Sequence, residues 1–235
     1  LDAMMIERHT DGSMPLDGPW QLIAADINND MKITKLDAIL LKKLIVDGDS
    51  NFPDNTSWRF PIKQQNLSPE NPFPFQDTIR SFNLELDGFD FYAIKIGDIS
   101  GSIGNSLPEA PVVFSRKRNP VLKVKNSKVF SSIPIEVPVY AMDFNDITGF
   151  QFDLLVDQAA VLDILPGKII FEDSDYKIQK DRVRFVYTSE TEMTIPDGEI
   201  LFSLLLAPEE LSFVRHLVSI DTISFDAQSY FKDLS

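Results

Sequence analysis

"DINNDMKITKLD", residues 26–37, decides how the first part of this chain is read. Taking Asp26 as position one puts Asn28 at three, Asp30 at five, Lys32 at seven, Thr34 at nine and Asp37 at twelve. Oxygen-bearing groups at every second place, and once more at the start of a helix, suit calcium, a hard cation that takes roughly six to eight oxygens. Lys32 would contribute its backbone carbonyl, so its side chain is irrelevant. Thr34 would act directly or through a water, and Asp37 would close the site from the first turn of the helix. Carboxylates bunched this closely repel one another without a cation. The competing reading is a polar turn that caps a helix.

This is the ligand schedule of an EF-hand-type loop, whose sixth place ordinarily needs glycine. Met31 stands there instead. Forcing a non-glycine residue into a left-handed conformation costs about 1–2 kcal/mol, close to one decade of affinity. The expectation is a weakened calcium site rather than a lost one, since extracellular modules work at dissociation constants of roughly 0.1–1 mM.

Around the loop the chain repeats itself. "LDAMMIERHTDG" at 1–12 returns as "LDAILLKKLIVDG" at 36–48 with one residue inserted, which implies a duplicated helical unit. Ile39, Leu40, Lys42, Lys43 and Leu44 fit an amphipathic helix that ends near Asp47-Gly48. In the first copy Met4, Met5 and Ile6 do the same work, and the methionines are assigned to packing. Residues 51–75 change to Pro, Asn, Ser and aromatics, an ordered loop that Trp58, Phe60 and Phe73 are expected to pin onto the helices. Asn55-Thr56-Ser57 and Asn66-Leu67-Ser68 match the glycosylation acceptor pattern. "FYAIKIGDIS" at 91–100 alternates like a strand.

Beyond Pro111 the pattern is a series of strands at 121–126, 133–142, 148–157, 181–189, 198–207 and 217–227, separated by turn residues with no long helical period between them. That is the signature of an antiparallel β-sandwich. Phe150, Phe152 and Leu154 are expected on one face, and Gln151, Asp153 and Leu155 on the other.

Composition narrows the function classes. Thirty-six acidic against 22 basic side chains give a formal charge of -14, which repels nucleic acid and anionic membrane surfaces and suits divalent cations. The chain has no cysteine, which excludes disulfides, thiolate zinc sites and cysteine nucleophiles. No apolar run reaches the length of a membrane span. Leu1 opens directly on a polar, helix-like segment without a signal peptide, so the chain is expected to be a mature product or a fragment.

At "AADINNDMKITKLDAILLKKLI" the sequence resembles a dockerin repeat, with Asp26, Asn28, Asp30, Ile33, Thr34 and Asp37 matching and Met31 departing. The longer run through "FPDNTSWRFP" to "FYAIKIGDISGS" is similar to dockerin-like regions of secreted bacterial surface proteins, in which a cohesin-like sandwich often follows. "VPVYAMDFNDITGFQFDLLVDQAAVLDIL" (137–165) with "PDGEILFSLLL" (196–206) resembles a cohesin domain. The fold class so implied is multidomain: a small α-helical dockerin-like calcium-binding domain at 1–103, a linker at 104–111, and an antiparallel β-sandwich of the cohesin or Ig-like jelly-roll kind at 112–235. Family dockerins carry two calcium loops, and here only one is complete. Asp2 sits where position twelve of the missing loop belongs, and "GDISGS" offers Asp98, Ser100 and Ser102 at one, three and five. These four residues are the candidates for a split second calcium site, formed if the end of the domain folds back onto its start. A plain Gly-Ser linker start is the alternative.

The resemblance implies a non-catalytic structural or adhesion module, secreted to a bacterial cell surface. Its partner would be a cohesin- or dockerin-like protein domain, a second copy of the chain included, and head-to-tail pairing would give filaments. Two alternatives are an accessory fragment of a secreted glycoside hydrolase and a carbohydrate-binding module, with Tyr176, Tyr187 and Tyr230 as sugar-stacking candidates and a glycan as ligand. His9 and His216 are too isolated to suggest a general base and are assigned structural roles.

Overall fold

The computed structural model describes residues 1–78, 90–102, 120–130, 133–221 and 227–231 of the 235. The chain divides into two compact units, Leu1–Val113 and Phe114–Ser235. The expected linker at 104–111 lies outside the described residues.

The first unit is built on three helices, α1 (Asp2–Thr10), α2 (Pro19–Ala25) and α3 (Lys35–Asp47). Both copies of the sequence repeat are therefore helical. α3 begins at Thr34, whose hydroxyl accepts the N–H of Leu36, while the Asp37 carboxylate accepts the N–H of Thr34 at 2.9 Å. This reciprocal cap satisfies donors that a helix start leaves unpaired. The helix stops at Gly48, where a φ of 67° lets its N–H turn back to the Ile45 carbonyl. Ala38, Leu41 and Val46 are buried on α3, as are Ala3, Met4, Met5 and Ile6 on α1. The two helices pack together and are bridged by Lys42 Nζ and Glu7 Oε1 at 3.3 Å. α2 has no period in the sequence to announce it, being only seven residues long. It starts at Pro19, a residue pre-set for the first helical turn, and buries Leu22, Ile23, Ala24 and Ala25.

Two expectations for residues 51–100 are corrected. The strand expected at 91–100 is only β2 (Ile94–Lys95), paired with β1 (Trp58–Arg59), because the chain turns at Gly97, with φ at 86°. Trp58 and Phe60 do not pin the loop; they are 39% and 49% exposed. Trp20 of α2 packs on Tyr92, with ring centroids 4.0 Å apart, Arg59 lies over the Phe75 ring within the loop, and Lys95 of β2 lies over the Phe52 ring.

The second unit is mostly antiparallel sheet, as expected. One sheet runs β3 (Val121–Val124), β5 (Ile135–Met142), β10 (Ile200–Pro208), β7 (Ala159–Pro166). The other runs β12 (Val218–Ile220), β6 (Phe144–Val156), β9 (Arg182–Ile195), β8 (Tyr176–Ile178), with β13 (Gln228–Phe231) also on β6. A short pair, β4 (Lys128–Val129) with β11 (Ser212–Phe213), and one helical turn, α4 (Val214–Leu217), complete the described elements. The inner faces meet at Phe185 of β9 and Phe202 of β10, both fully buried, with ring centroids 5.1 Å apart. The strand expected at 217–227 is interrupted: α4 ends at Leu217, β12 covers 218–220, and 222–226 lie outside the described residues. β7 escaped the sequence reading because this edge strand has only Ala159 and Ile164 buried and leaves Leu162 exposed, which blurs its alternation.

Phe150, Phe152 and Leu154 do share the core face of β6. The opposite face carries a feature that alternation does not disclose. Asp153 is fully buried there, its two oxygens taken by Arg184 Nε and Nη2 at 2.9 Å each, and Oδ2 also by Arg182, which reaches on to Asp221. Removing one member of such a network strands the others. Asp153→Ala is expected to lower stability by about 3 kcal/mol, read as a fall in the urea midpoint.

Candidate metal centre

The predicted loop joins α2 to α3, and its backbone winds around the carboxylate at its head. Asp26 Oδ1 accepts the N–H of Asp30 and Oδ2 that of Met31, both at 3.0 Å. Asp30 Oδ1 accepts from Lys32 N at 2.9 Å, and Asn28 Oδ1 from Asp30 N at 3.2 Å. Asp37 reaches back from α3: Oδ1 takes the N–H of Ile27, and Oδ2 takes both the N–H and the hydroxyl of Thr34. The winding needs two left-handed residues, Asn29 at φ 59° and Met31 at φ 64°. Met31 thus adopts the conformation for which glycine is ordinarily required, with its side chain 55% exposed.

Residues from outside the loop hold it, and sequence reasoning missed them. Asn55 Nδ2 donates to the carbonyls of Asp26 and Ile27, at 2.8 and 3.3 Å. Arg59 Nη1 donates to Asn29 Oδ1, and its guanidinium is anchored by Asp77 at 2.7 Å. The sequence presents Asn55 only as a glycosylation acceptor, but its amide nitrogen is engaged under the loop. Nothing within the loop itself could have signalled a contact 29 residues away.

The charge balance is unfavourable by itself. Asp26 and Asp37 are 3% and 0% exposed. Burial pushes the Asp26 carboxyl up to about 6, the charges of Asp37 and Asp30 add to this, and the N–H groups of Met31 and Asp30 oppose it. Among the described residues no three His, Cys, Asp or Glu side chains form a group able to hold a metal by themselves. Asp26 and Asp37 both bond loop N–H groups with their oxygens, and a cation here would take the neutral oxygens of Asn28, Thr34 and the Lys32 carbonyl beside the carboxylates of Asp26, Asp30 and Asp37. That donor set, oxygen throughout, fits calcium.

The four residues of the suspected second site also meet. Asp2 Oδ1 accepts the N–H of Ser100 at 2.8 Å, and Asp98 Oδ1 accepts both the N–H and the hydroxyl of Ser102. The end of this unit does fold back onto its start.

The remaining candidates are occupied elsewhere. His9 Nδ1 accepts the N–H of Leu16 at 3.1 Å, and His216 lies on the surface against Arg215 and the Phe213 ring. Tyr187 stacks on Phe150, Tyr176 packs on Phe171 and Phe185, and Tyr230 is buried with its hydroxyl between Gln151 and Gln228. Tyr176 and Tyr187 are half-buried against the core of the sandwich, whereas Tyr230 is buried beside Gln151, outside that core.

No protein-family model matches the chain, and no curated protein sequence matches it. Among solved structures it is similar to a type I cohesin–dockerin complex from Clostridium thermocellum, at 22% identity over 40% of this chain and 74% of that one, with a TM-score of 0.34. It is also similar to the third ScaC cohesin bound to the ScaB dockerin from Acetivibrio cellulolyticus, at 13% identity over 42% and 82%, with a TM-score of 0.29. Likeness at these scores leaves the functional reading to rest on the residues themselves. Among the described residues no helix is long and apolar enough to cross a membrane.

Met31→Gly is expected to relieve about 1–2 kcal/mol of backbone strain already present in the folded chain, read as a raised urea midpoint. The Asp26 carboxyl gives a pH signature. Folded and metal-free, it holds its proton up to about pH 6, whereas the ordinary aspartate value is 3.8. The folded state then binds more protons than the unfolded chain, so the Asp26 contribution to stability is present below 3.8 and lost as pH rises through about 6. In EDTA, the urea midpoint of the wild type measured against Asp26→Asn is expected to fall over that window. Calcium is expected to reverse the trend, because it binds the ionised form.

Proposed function

We propose that this chain is a non-catalytic structural and interaction module of an extracellular bacterial protein, with its helical unit stiffened by calcium in the 26–37 loop. The observation that carries this reading is the loop's winding. Left-handed residues at positions four and six and the inward N–H groups of residues 30, 31 and 32 gather the oxygens of Asp26, Asn28 and Asp30 on the inside of one turn. Asp26, Asn28, Asp30, Thr34, Asp37 and the Lys32 carbonyl would hold the ion. It would supply positive charge where the fold buries carboxylates, and these residues would orient it and exclude water from it. The resemblance of this loop to dockerin repeats, and of 137–165 to cohesins, makes a dockerin- or cohesin-like domain the partner, on another protein or on a second copy of this chain.

The test is a calcium titration of the full chain after EDTA treatment, followed by calorimetry and far-ultraviolet circular dichroism. At about a hundredfold excess over the dissociation constant the stabilisation expected is about 2.7 kcal/mol, seen as a raised thermal midpoint that Asp26→Ala abolishes. Unchanged melting and no binding heat at millimolar calcium would overturn the reading. Light scattering with and without calcium examines assembly: a monomer in both conditions counts against self-pairing.

A further inference from the structure

We infer that the outer face of the β4–β11 ribbon is a docking surface for an acidic, apolar peptide segment of a partner protein. The surface lies wholly in the second unit, shares no residue with the 26–37 loop and does not depend on calcium.

The stretch that builds it runs against the charge of the chain. Residues 110–135 hold six basic side chains, Arg116, Lys117, Arg118, Lys123, Lys125 and Lys128, and all 36 acidic ones lie elsewhere. Lys128 begins β4, which pairs with β11 so that Ser212 stands opposite Val129 and Phe213 opposite Lys128. The same antiparallel register sets Leu211 opposite Phe130. Alternation then divides the ribbon into two faces. Val129 points inward, 2% exposed, and joins the hydrophobic core of the sandwich together with Val214. Lys128, Phe130, Leu211 and Phe213 share the other face. Phe130 and Leu211 are each 58% exposed and Phe213 is 39% exposed. Large apolar side chains gathered on a surface mark a contact site rather than scattered exposure. The ribbon is also held in place. Val214 N–H donates to the Ser127 carbonyl at 3.0 Å and Arg215 N–H to Asn126 Oδ1 at 3.3 Å, so the face is formed before a partner arrives.

Charge names the occupant. Lys128 Nζ lies 5.8 Å from the centre of the Phe130 ring, and Arg215 Cζ lies 5.4 Å from that of Phe213. Each ring thus carries a cation over its face. Among the described residues neither cation has a carboxylate partner, although Glu209 and Glu210 lie on the bend just before Leu211. A carboxylate of the partner would meet Lys128 or Arg215 while apolar neighbours on the same segment cover Phe130, Leu211 and Phe213. An anionic bilayer fits less well, because a flat surface that reaches the ribbon also meets the field of a chain whose formal charge is -14. A neutral sugar fits less well too, since Phe and Leu have no polar group with which to fix hydroxyls.

Fluorescence anisotropy of the full chain tests this, with a dye-labelled decapeptide that alternates Glu with Leu and Phe. A decapeptide carrying Lys in place of Glu is the control. The acidic peptide is expected to bind at least about tenfold more tightly than the control and to weaken as ionic strength rises. Lys128→Glu combined with Arg215→Glu is expected to weaken it about tenfold or more, and Phe130→Ser to do the same. These side chains are exposed, so circular dichroism should stay that of the wild type. Lys128→Gln with Arg215→Gln decides the matter if charge reversal disturbs the fold. No binding at millimolar acidic peptide, equal binding of the control, or affinity unchanged by the charge substitutions overturns the inference. Binding of phosphatidylglycerol vesicles without binding of the peptide, or a dimer that Phe130→Ser dissolves, also overturns it and gives the face to lipid or to a second copy. The calcium titration above is read separately, so failure here leaves the loop's reading standing.

Discussion

Asp37 is a carboxylate with no exposure to solvent, and both of its oxygens are bonded to the segment that precedes its own helix. One side chain thereby starts α3, closes the 26–37 loop and fixes the distance between α2 and α3. α3 in turn packs on α1, with Leu41 and Val46 buried on one helix and Met4, Met5 and Ile6 on the other. Apolar contact between the helices supplies most of the stabilisation in a unit of this kind, while Asp37 ties the start of α3 to the loop before it. The fold thus commits a carboxylate to its interior and satisfies it with the loop's own donors.

Much of this was legible because the signals are local. Alternate oxygens from Asp26 onward, the capping pair Thr34 and Asp37 and the stop at Gly48 all lie within 23 residues, so spacing alone places them. Alternation in β6 put Phe150, Phe152 and Leu154 inside for the same reason. Contacts between distant segments were less readable. Asn55 and Arg59 support the loop from beyond α3, and their residue types fit any polar turn. Asp2 and Ser100 came within reach of sequence reasoning only because each seemed incomplete without the other. The strand expected at 91–100 failed because alternation says nothing about whether a partner strand exists, and a left-handed Gly97 ends the pairing after two residues.

The sandwich handles a buried charge differently. Asp153 is as enclosed as Asp37, yet it meets two guanidinium groups from the neighbouring strand, and Arg182 shares itself with Asp221. Charge is balanced there by the chain's own cations. In the helical unit, where Lys42 is engaged with Glu7 and Arg59 with Asp77, backbone N–H groups do what they can for Asp26, and the balance remains acidic.

The bond between Asp2 and the Ser100 amide has a mechanical consequence. It ties the start of α1 to the segment at Ser100, so a force drawing these two segments apart meets this bond first, without passing through α2 or α3. Pulling would peel that single junction open before it strained the helices behind it. Such a junction acts as a fuse, and whatever strengthens it raises the force at which the unit begins to give way.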